Sequence, residues 1–464
     1  MQKTLFYKLA AIGFLVLLLL IPLKMIEGVI GARQMRQHEV EQTVAASSAG
    51  SQVLIGPVLA VPYIERCITR TVDEKMREKT TVTETEKLAL FMPETLEVDN
   101  VANIEEKYKG LYKTFVFENR GKWRATFKVP ANLGLDIDPK LITPGRAYLS
   151  MGMSDVRGIL GRPNILWDGQ PLTVAQGTRL NAFPQGVHAD IGKLDTRLEQ
   201  RFSAGIGLHL IGTSTLSFAP VGESVTVRMQ SPWAHPNFTG RFLPRERKIG
   251  ESGFSARWET THFASNNNAI LKQTALSHSD DTRVRAAPGI QCDTFGVTFM
   301  EPVNIYLQAE RAVKYGILFV VLTFAGFFIL ETLKKLRIHP LQYGLVGLAL
   351  AVFFLLVISL TEHISFALAY LAASTACIAL LGYYLTHVLK SRLRGMTFAA
   401  LFTLLYGVLY ALLLSEDNAL ALGAILLFAA LAAIMVLTRN VDWYHAAIAD
   451  PKEGFDGANG VAAR

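Results

Sequence analysis

The stretch that decides the fold runs from Tyr315 to Leu437. It opens with YGILFVVLTFAGFFIL (315–330) and continues through LQYGLVGLALAVFFLLVISL (341–360), ISFALAYLAASTACIALLGYYLTHVL (364–389), MTFAALFTLLYGVLYALLL (396–414) and ALALGAILLFAALAAIMVL (419–437). These five runs hold 16 to 26 residues, and no Asp, Glu, Lys or Arg interrupts any of them. A hydrocarbon core of roughly 30 Å takes about 20 apolar residues of helix. Ala312 and Val313 extend the shortest run backwards past Lys314. One charge at mid-helix costs at least ~2.5 kcal/mol on insertion scales, so five uncharged runs in succession predict five membrane-spanning helices.

The breaks between the runs predict their orientation. Lys334, Lys335 and Arg337, beside Glu331, separate the first two, Lys390, Arg392 and Arg394 separate the third and fourth, and Arg439 follows the last. The other two breaks carry Glu362 with His363, and Glu416 with Asp417, and no basic residue. Lys and Arg collect on the cytoplasmic side of a membrane, so the alternation places the C-terminus inside and the segment before Tyr315 outside.

Working outward, Lys3 and Lys8 precede an apolar run from Leu9 to Leu23 that continues through Lys24 and Glu27 to Ile30. A cleaved signal peptide has the same outline, but no small-x-small site closes this run. We read it as an uncleaved span, with Lys24 and Glu27 snorkelling outward, a bend at Pro22 and the N-terminus inside. The total becomes six spans with both ends cytoplasmic.

Between the first span and the rest lies Gly31–Arg311. The whole chain carries a net charge of +7, but this segment holds 33 basic against 30 acidic residues. The surplus therefore sits at the membrane edges and is not a nucleic-acid footprint. A polar helical stalk is expected over Arg33–Thr43. Apolar and polar residues then alternate around Trp123–Val129, Val225–Met229, Phe254–Trp258 and Val303–Ala309, the mark of half-buried strands. Phe115–Phe117, Leu208–Phe218 and Phe295–Phe299 read as further strands, and Gly56-Pro57, Pro144-Gly145, Gly169–Pro171 and Pro288-Gly289 as turns. With no convincing amphipathic helix in the region, the expected fold is an antiparallel β-sandwich, single or stacked. The charge-rich Arg70–Lys87 reads as a long solvated hairpin, with a docking surface as the alternative.

The domains expected are thus a membrane helix at 1–30, a periplasmic β-rich domain at 31–311, a five-helix membrane domain at 312–440 and a cytoplasmic tail at 441–464, disordered after Tyr444. The chain as a whole is a bundle of six transmembrane helices with a large all-β domain inserted after the first.

Candidate chemistry is sparse. Trp233, His235, Phe238 and Arg241 sit in an aromatic, Pro- and Gly-rich segment, which suits a binding loop or a structural turn between two sheets. No nucleophile lies near His235 in sequence. The ten histidines form no HxxxH or HxH pattern, and there is no Walker loop, G-x-S-x-G elbow or complete G-x-G-x-x-G. No cofactor, metal or catalytic residue is predicted. Glu331 and Glu362-His363 flank spans; a proton-coupled carrier would use such groups, but deeper in the bundle, so topology residues are the competing reading. Of the three cysteines, Cys377 lies within a span, while Cys67 and Cys292 share one side and form a candidate disulfide, with two buried thiols as the alternative.

Four segments resemble the CreD family of bacterial inner-membrane proteins: Ile55–Pro62; Ser154-Asp155-Val156-Arg157-Gly158-Ile159; Trp233–Pro244; and Val303–Leu333, followed by His339–Tyr343, Glu362-His363 and Arg439–Tyr444. Cys67, Cys292 and the tail lie outside that pattern. The resemblance implies a role in cell-envelope integrity under a two-component regulatory system, and it brings no catalytic residue or ligand with it. The expected function is non-enzymatic: a periplasmic domain binding a protein, lipid or cell-wall component beside the lipid bilayer. The alternatives are a transporter or flippase working through the six helices, and a membrane-anchored periplasmic hydrolase.

Overall fold

A computed structural model describes residues 2–72, 78–276, 292–299, 305–334, 338–389, 391–415 and 419–439. The chain divides into two compact units, one of residues 1–36 with 303–464 and one of residues 37–302.

The first unit is helical. It contains most of α1 (Gln2–Ser47), then α3 (Ile305–Lys334), α4 (Pro340–Thr361), α5 (Phe366–Val388), α6 (Arg392–Leu414) and α7 (Ala419–Thr438). Among the described residues five helices are long and apolar enough to cross a membrane: α1, α3, α4, α5 and α6. The sixth apolar run is helical too, with its apolar stretch described over Ala421–Val436. Aromatic rings pack between helices among buried Leu, Val and Ala: Phe327 stacks on Phe398 at 4.7 Å, and Phe353 meets Tyr406 at 4.6 Å.

The second unit is a β-sandwich. Its strands are β1 (Gln52–Val72), β2 (Glu78–Phe91), β3 (Thr95–Lys109), β4 (Tyr112–Val129), β5 (Ile142–Pro144), β6 (Arg146–Met153), β7 (Asn164–Trp167), β8 (Gln170–Leu172), β9 (Val174–Gln176), β10 (Gly186–Lys193), β11 (Gln200–Thr213), β12 (Thr215–Ala219), β13 (Ser224–Ser231), β14 (Pro236–Gly240), β15 (Glu246–Gly250), β16 (Gly253–Thr261) and β17 (Phe295–Phe299). One sheet runs β14-β17-β12-β1-β6-β10-β9, with β2 and β5 also against β1; the other runs β15-β16-β13-β3-β4-β11-β7-β8. Pairing is antiparallel except for β1 with β12 and β3 with β13.

Period-2 patterning explains the core. In β4, Trp123, Ala125, Phe127 and Val129 are buried while Arg124 and Thr126 are exposed. Aromatic rings join the sheets across the interior: Trp123 to Phe218 at 6.0 Å, Phe117 to Phe299 at 5.5 Å and Trp258 stacked on Phe295 at 5.5 Å. Each such burial contributes about 2–3 kcal/mol from apolar area alone.

Several expectations need correction. The strand expected over Val303–Ala309 is helix from Ile305 on, with 303–304 outside the described residues: α3 starts at Ile305, and the buried Ala309, Ala312, Val313 and Gly316 follow a helical repeat that a short alternating window cannot distinguish. Gly56-Pro57 is no turn; the peptide is cis and lies at a bulge within β1, which continues to Val72. Leu208–Phe218 is two strands. Ser214, at φ 63°, breaks the run and sends β11 and β12 into different sheets. The β region also holds a helix, α2 (Asn267–Leu276), pinned by the buried Asn267 amide, which donates to the Pro220 and Asp293 carbonyls at 3.0 Å. Its ten residues are too short for a clear amphipathic signal. The stalk helix forms, but as the end of α1, extending to Ser47. Arg70–Lys87 falls on the β1–β2 hairpin, whose pairing reaches Val72 with Glu78; residues 73–77 lie outside the described part, as do Pro288-Gly289 and the tail.

Cys67 and Cys292 are both free. Cys67 is exposed on the outer arm of the hairpin opposite Thr83, whereas Cys292 packs half-buried against the cluster of Ile55, Val58 and Leu271. Strand β1 carries Cys67 away from that cluster, so the pairing is not made. Burial, aided by Asp293, pushes the Cys292 thiol up to about 11.

Candidate functional site

Three places in the structure concentrate polar side chains. The first is where α1 enters the sandwich. After β6 the chain forms a 3-10 turn at Val156–Gly158, with Asp155 as its N-cap accepting from the Arg157 N–H. The Asp155 carboxylate also accepts from the Gly50 N–H at 3.0 Å and from the Arg157 guanidinium at 2.6 Å. Arg157 in turn donates to the Ala46 carbonyl at 2.6 Å, at the C-terminal end of α1, where a cation complements both the unpaired carbonyls and the helix dipole. The buried Gln52 amide completes the joint by donating to the Asp155 and Ile211 carbonyls at 2.9 and 3.2 Å.

Arg157 holds the Asp155 carboxyl below the usual aspartate range, with smaller help from the Gly50 N–H. A carboxylate with a depressed pKa contributes stability fully above its unfolded value, about 3.9, and loses it as pH falls through the lower folded value. Asp155→Asn should therefore cost about 1–2 kcal/mol at neutral pH, and its deficit relative to the parent should shrink below about pH 3.9. Four of the five tryptophans (Trp123, Trp167, Trp233 and Trp258) lie in the sandwich, so fluorescence melts at several pH values report this. Identical pH dependence in the two proteins would rule out the linkage.

The second place is a groove of about 870 Å³ formed by β1, β2, β5, β6 and β10. Buried Tyr63 and Tyr148 line it, with Lys87, Glu86, Arg146 and Lys193 at its walls. Burial raises both phenols above their ordinary range, so they are neutral. Glu65 pairs with Lys87 and pushes that ammonium up. Arg179 lies 5.5 Å from the Tyr148 ring and pairs with Asp190 at 2.8 Å. Of these groove residues, Glu86 and Lys87 belong to the charge-rich run whose alternative reading was a docking surface; Tyr63, Tyr148, Arg146 and Lys193 carried no signal in the sequence. They are scattered from 63 to 193, and only the pairing of β1 with β2, β5 and β6, and of β6 with β10, gathers them.

The third place is in the helical unit. Glu331, buried at the end of α3, pairs with Lys8 of α1 and accepts from the Tyr343 hydroxyl and the Ile338 N–H, both at 3.0 Å. Glu362 pairs with Arg33 at 3.1 Å. Lys8 and Arg33 stand 25 residues apart on α1, about 37 Å along a helix. That lies between the hydrocarbon thickness of about 30 Å and the full bilayer thickness of about 40–45 Å. The two carboxylates thus fasten the two ends of one span.

The Trp233–Arg241 segment carries the chain from β13 in one sheet to β14 in the other. Trp233 donates to the His235 carbonyl at 2.9 Å and packs on Phe115 at 4.9 Å. Phe238 contacts Phe254 and Trp258 edge-on, each at 5.7 Å, and Arg241 pairs with Asp293 at 2.8 Å. His235 is exposed. Trp233, Phe238 and Arg241 are thus engaged with the sandwich itself, as a connecting turn requires. Among the described residues no group of three His, Cys, Asp or Glu could hold a metal ion.

Apolar helices of spanning length, joined to a large two-sheet domain, define a multi-pass membrane protein with a β-sandwich insert. The chain belongs to the CreD family: the family model described as inner membrane protein CreD matches residues 4–444. Inner membrane protein CreD of Escherichia coli (strain K12) is 37% identical over 446 residues, covering 96% of this chain and 95% of that protein. Among solved structures, an M1 zinc metallopeptidase of Deinococcus radiodurans shares 10% identity over 36% of this chain and 39% of its own, with a TM-score of 0.19. A likeness that slight carries no argument about fold or activity.

Proposed function

We propose that the chain supports the integrity of the cell envelope by holding an envelope component in its sandwich. It spans the inner membrane six times, keeps both termini in the cytoplasm and presents residues 31–311 to the periplasm. It acts without catalysis. The observation that carries the binding reading is the groove between β1, β2, β6 and β10, a concavity of ligand size with charged walls. The alternation of basic and acidic breaks supports the topology, as do the ion pairs at the two ends of α1. Helix α7, at 20 residues, has the about 30 Å needed for the sixth crossing.

Loss of the gene should sensitise cells to detergents and cell-wall stress, and the intact chain should restore resistance. A topology reporter placed near residue 200 should be active only outside the cytoplasm. No phenotype under any envelope stress, or a cytoplasmic reporter at 200, would overturn this reading.

A further inference from the structure

We infer that the groove between β1, β2, β6 and β10 is a binding site for an anionic saccharide, a sugar bearing a phosphate or carboxylate. This deepens the reading of the sandwich as a binding domain and rests on it. Arg146 and Lys193 face each other directly across the β6–β10 ladder. Like charges opposite one another destabilise a sheet. Among the described residues neither side chain takes an ion pair or a side-chain hydrogen bond, although Arg179 and Asp190 pair nearby on the same structure. Both cations line the groove. An oxyanion seated between them converts the repulsion into two charge-assisted hydrogen bonds, with the guanidinium able to bind in bidentate fashion.

The remaining lining selects what the oxyanion is attached to. Glu86, Asn181 and Thr143 also face the groove. A carboxylate, an amide and a hydroxyl around one groove, with Glu86 and Thr143 on the two strands that flank β1 at Ile64, offer acceptors and donors to sugar hydroxyls, and Glu86 opposes a bare polyanion. The Tyr148 hydroxyl is already committed to the Arg179 carbonyl at 3.2 Å, leaving that ring as an apolar wall. The volume of about 870 Å³ is in the range for a small ligand such as a mono- or disaccharide.

The test uses the full chain in detergent, with calorimetry and thermal shift. The probes are glucose 1-phosphate, glucuronate, glucose, inorganic phosphate and a short-chain phosphatidylinositol. Glucose 1-phosphate or glucuronate should bind, glucose and phosphate each at least about tenfold more weakly. Phosphatidylinositol binding as well as the free sugar phosphate assigns the sugar to a lipid headgroup; binding of the soluble sugar alone assigns it to a free or polymeric saccharide. Arg146→Ala with Lys193→Ala should weaken binding by about a hundredfold, while the unfolding temperature stays level or rises as the repulsion is relieved. No binding up to about 10 mM, a range that would still detect the weakest useful site, overturns the inference. So does phosphate binding as tightly as its sugar ester, or a double variant that binds normally. A double variant that fails to bind yet restores envelope resistance sinks the proposed function's use of this groove while leaving the site itself standing.

Discussion

Gly158→Ala is expected to lower the unfolding temperature of the sandwich by on the order of 8 °C, whereas Gly205→Ala leaves it level or slightly raised. A Cβ at Gly158 would lie 2.3 Å from the Ile211 carbonyl oxygen, 2.5 Å from the Gln52 side-chain nitrogen and 3.2 Å from the Ala49 Cβ. The first is backbone of β11 and cannot swing aside. Gln52 cannot either, because its buried amide already bridges the Asp155 and Ile211 carbonyls. The turn must therefore move, and with it the Asp155 and Arg157 side chains that hold Gly50 and the end of α1. Overpacking of this kind costs about 3 kcal/mol at its upper end. At Gly205 the nearest atoms would be Leu166 carbons at 3.7 and 3.8 Å, ordinary contact, so the same substitution there only stiffens the unfolded chain. Tryptophan fluorescence melts compare the two. Equal unfolding temperatures would mean that the joint yields freely.

The legibility of this chain followed the range of its interactions. Spans are local: an uncharged run of 20 residues states its own fate, and α4, α5 and α6 formed where the runs lie. Half-buried strands are local as well, and the alternation in β4, β13 and β16 reads directly from sequence. What failed was whatever needed a second segment to decide it. Val303–Ala309 alternates over only a few residues, and from Ile305 on it belongs to the helix that continues through Lys334. Ser214 alone separates β11 from β12, and no local signal marks a change of sheet. The parallel pairing of β1 with β12 joins residues more than 160 positions apart, beyond any local pattern. The same limit hid the groove, since Tyr63, Arg146 and Lys193 acquire a common meaning only through strand order. The Ser154–Ile159 motif was noticed, but its role at the end of α1 depends on Ala46 and Gln52, about a hundred residues earlier.

In the helical unit the largest expected effect belongs to Glu331. Glu331→Ala should destabilise the unit by about 3 kcal/mol, because it leaves the Tyr343 hydroxyl and the Ile338 N–H unsatisfied and Lys8 without its counter-charge. That is the lower end of the about 3–5 kcal/mol that breaking a buried pair costs, since the Lys8 side chain is a quarter exposed. Glu331→Gln keeps an oxygen for both donors and should cost less. Adding Lys8→Met to Glu331→Gln removes the stranded ammonium and should restore most of the loss, because an ion pair replaced on both sides is often close to neutral. Loss of helical ellipticity under detergent denaturation reads the cycle, as the tryptophans of the sandwich do not report on this unit. The same cycle separates two roles for the carboxylate. If Glu331 fastens α1 to α3 and α4, the double variant regains both fold and envelope resistance. A proton-handling carboxylate of a carrier would instead leave the double variant folded and inactive, and that result would transfer the function from the sandwich to the helices.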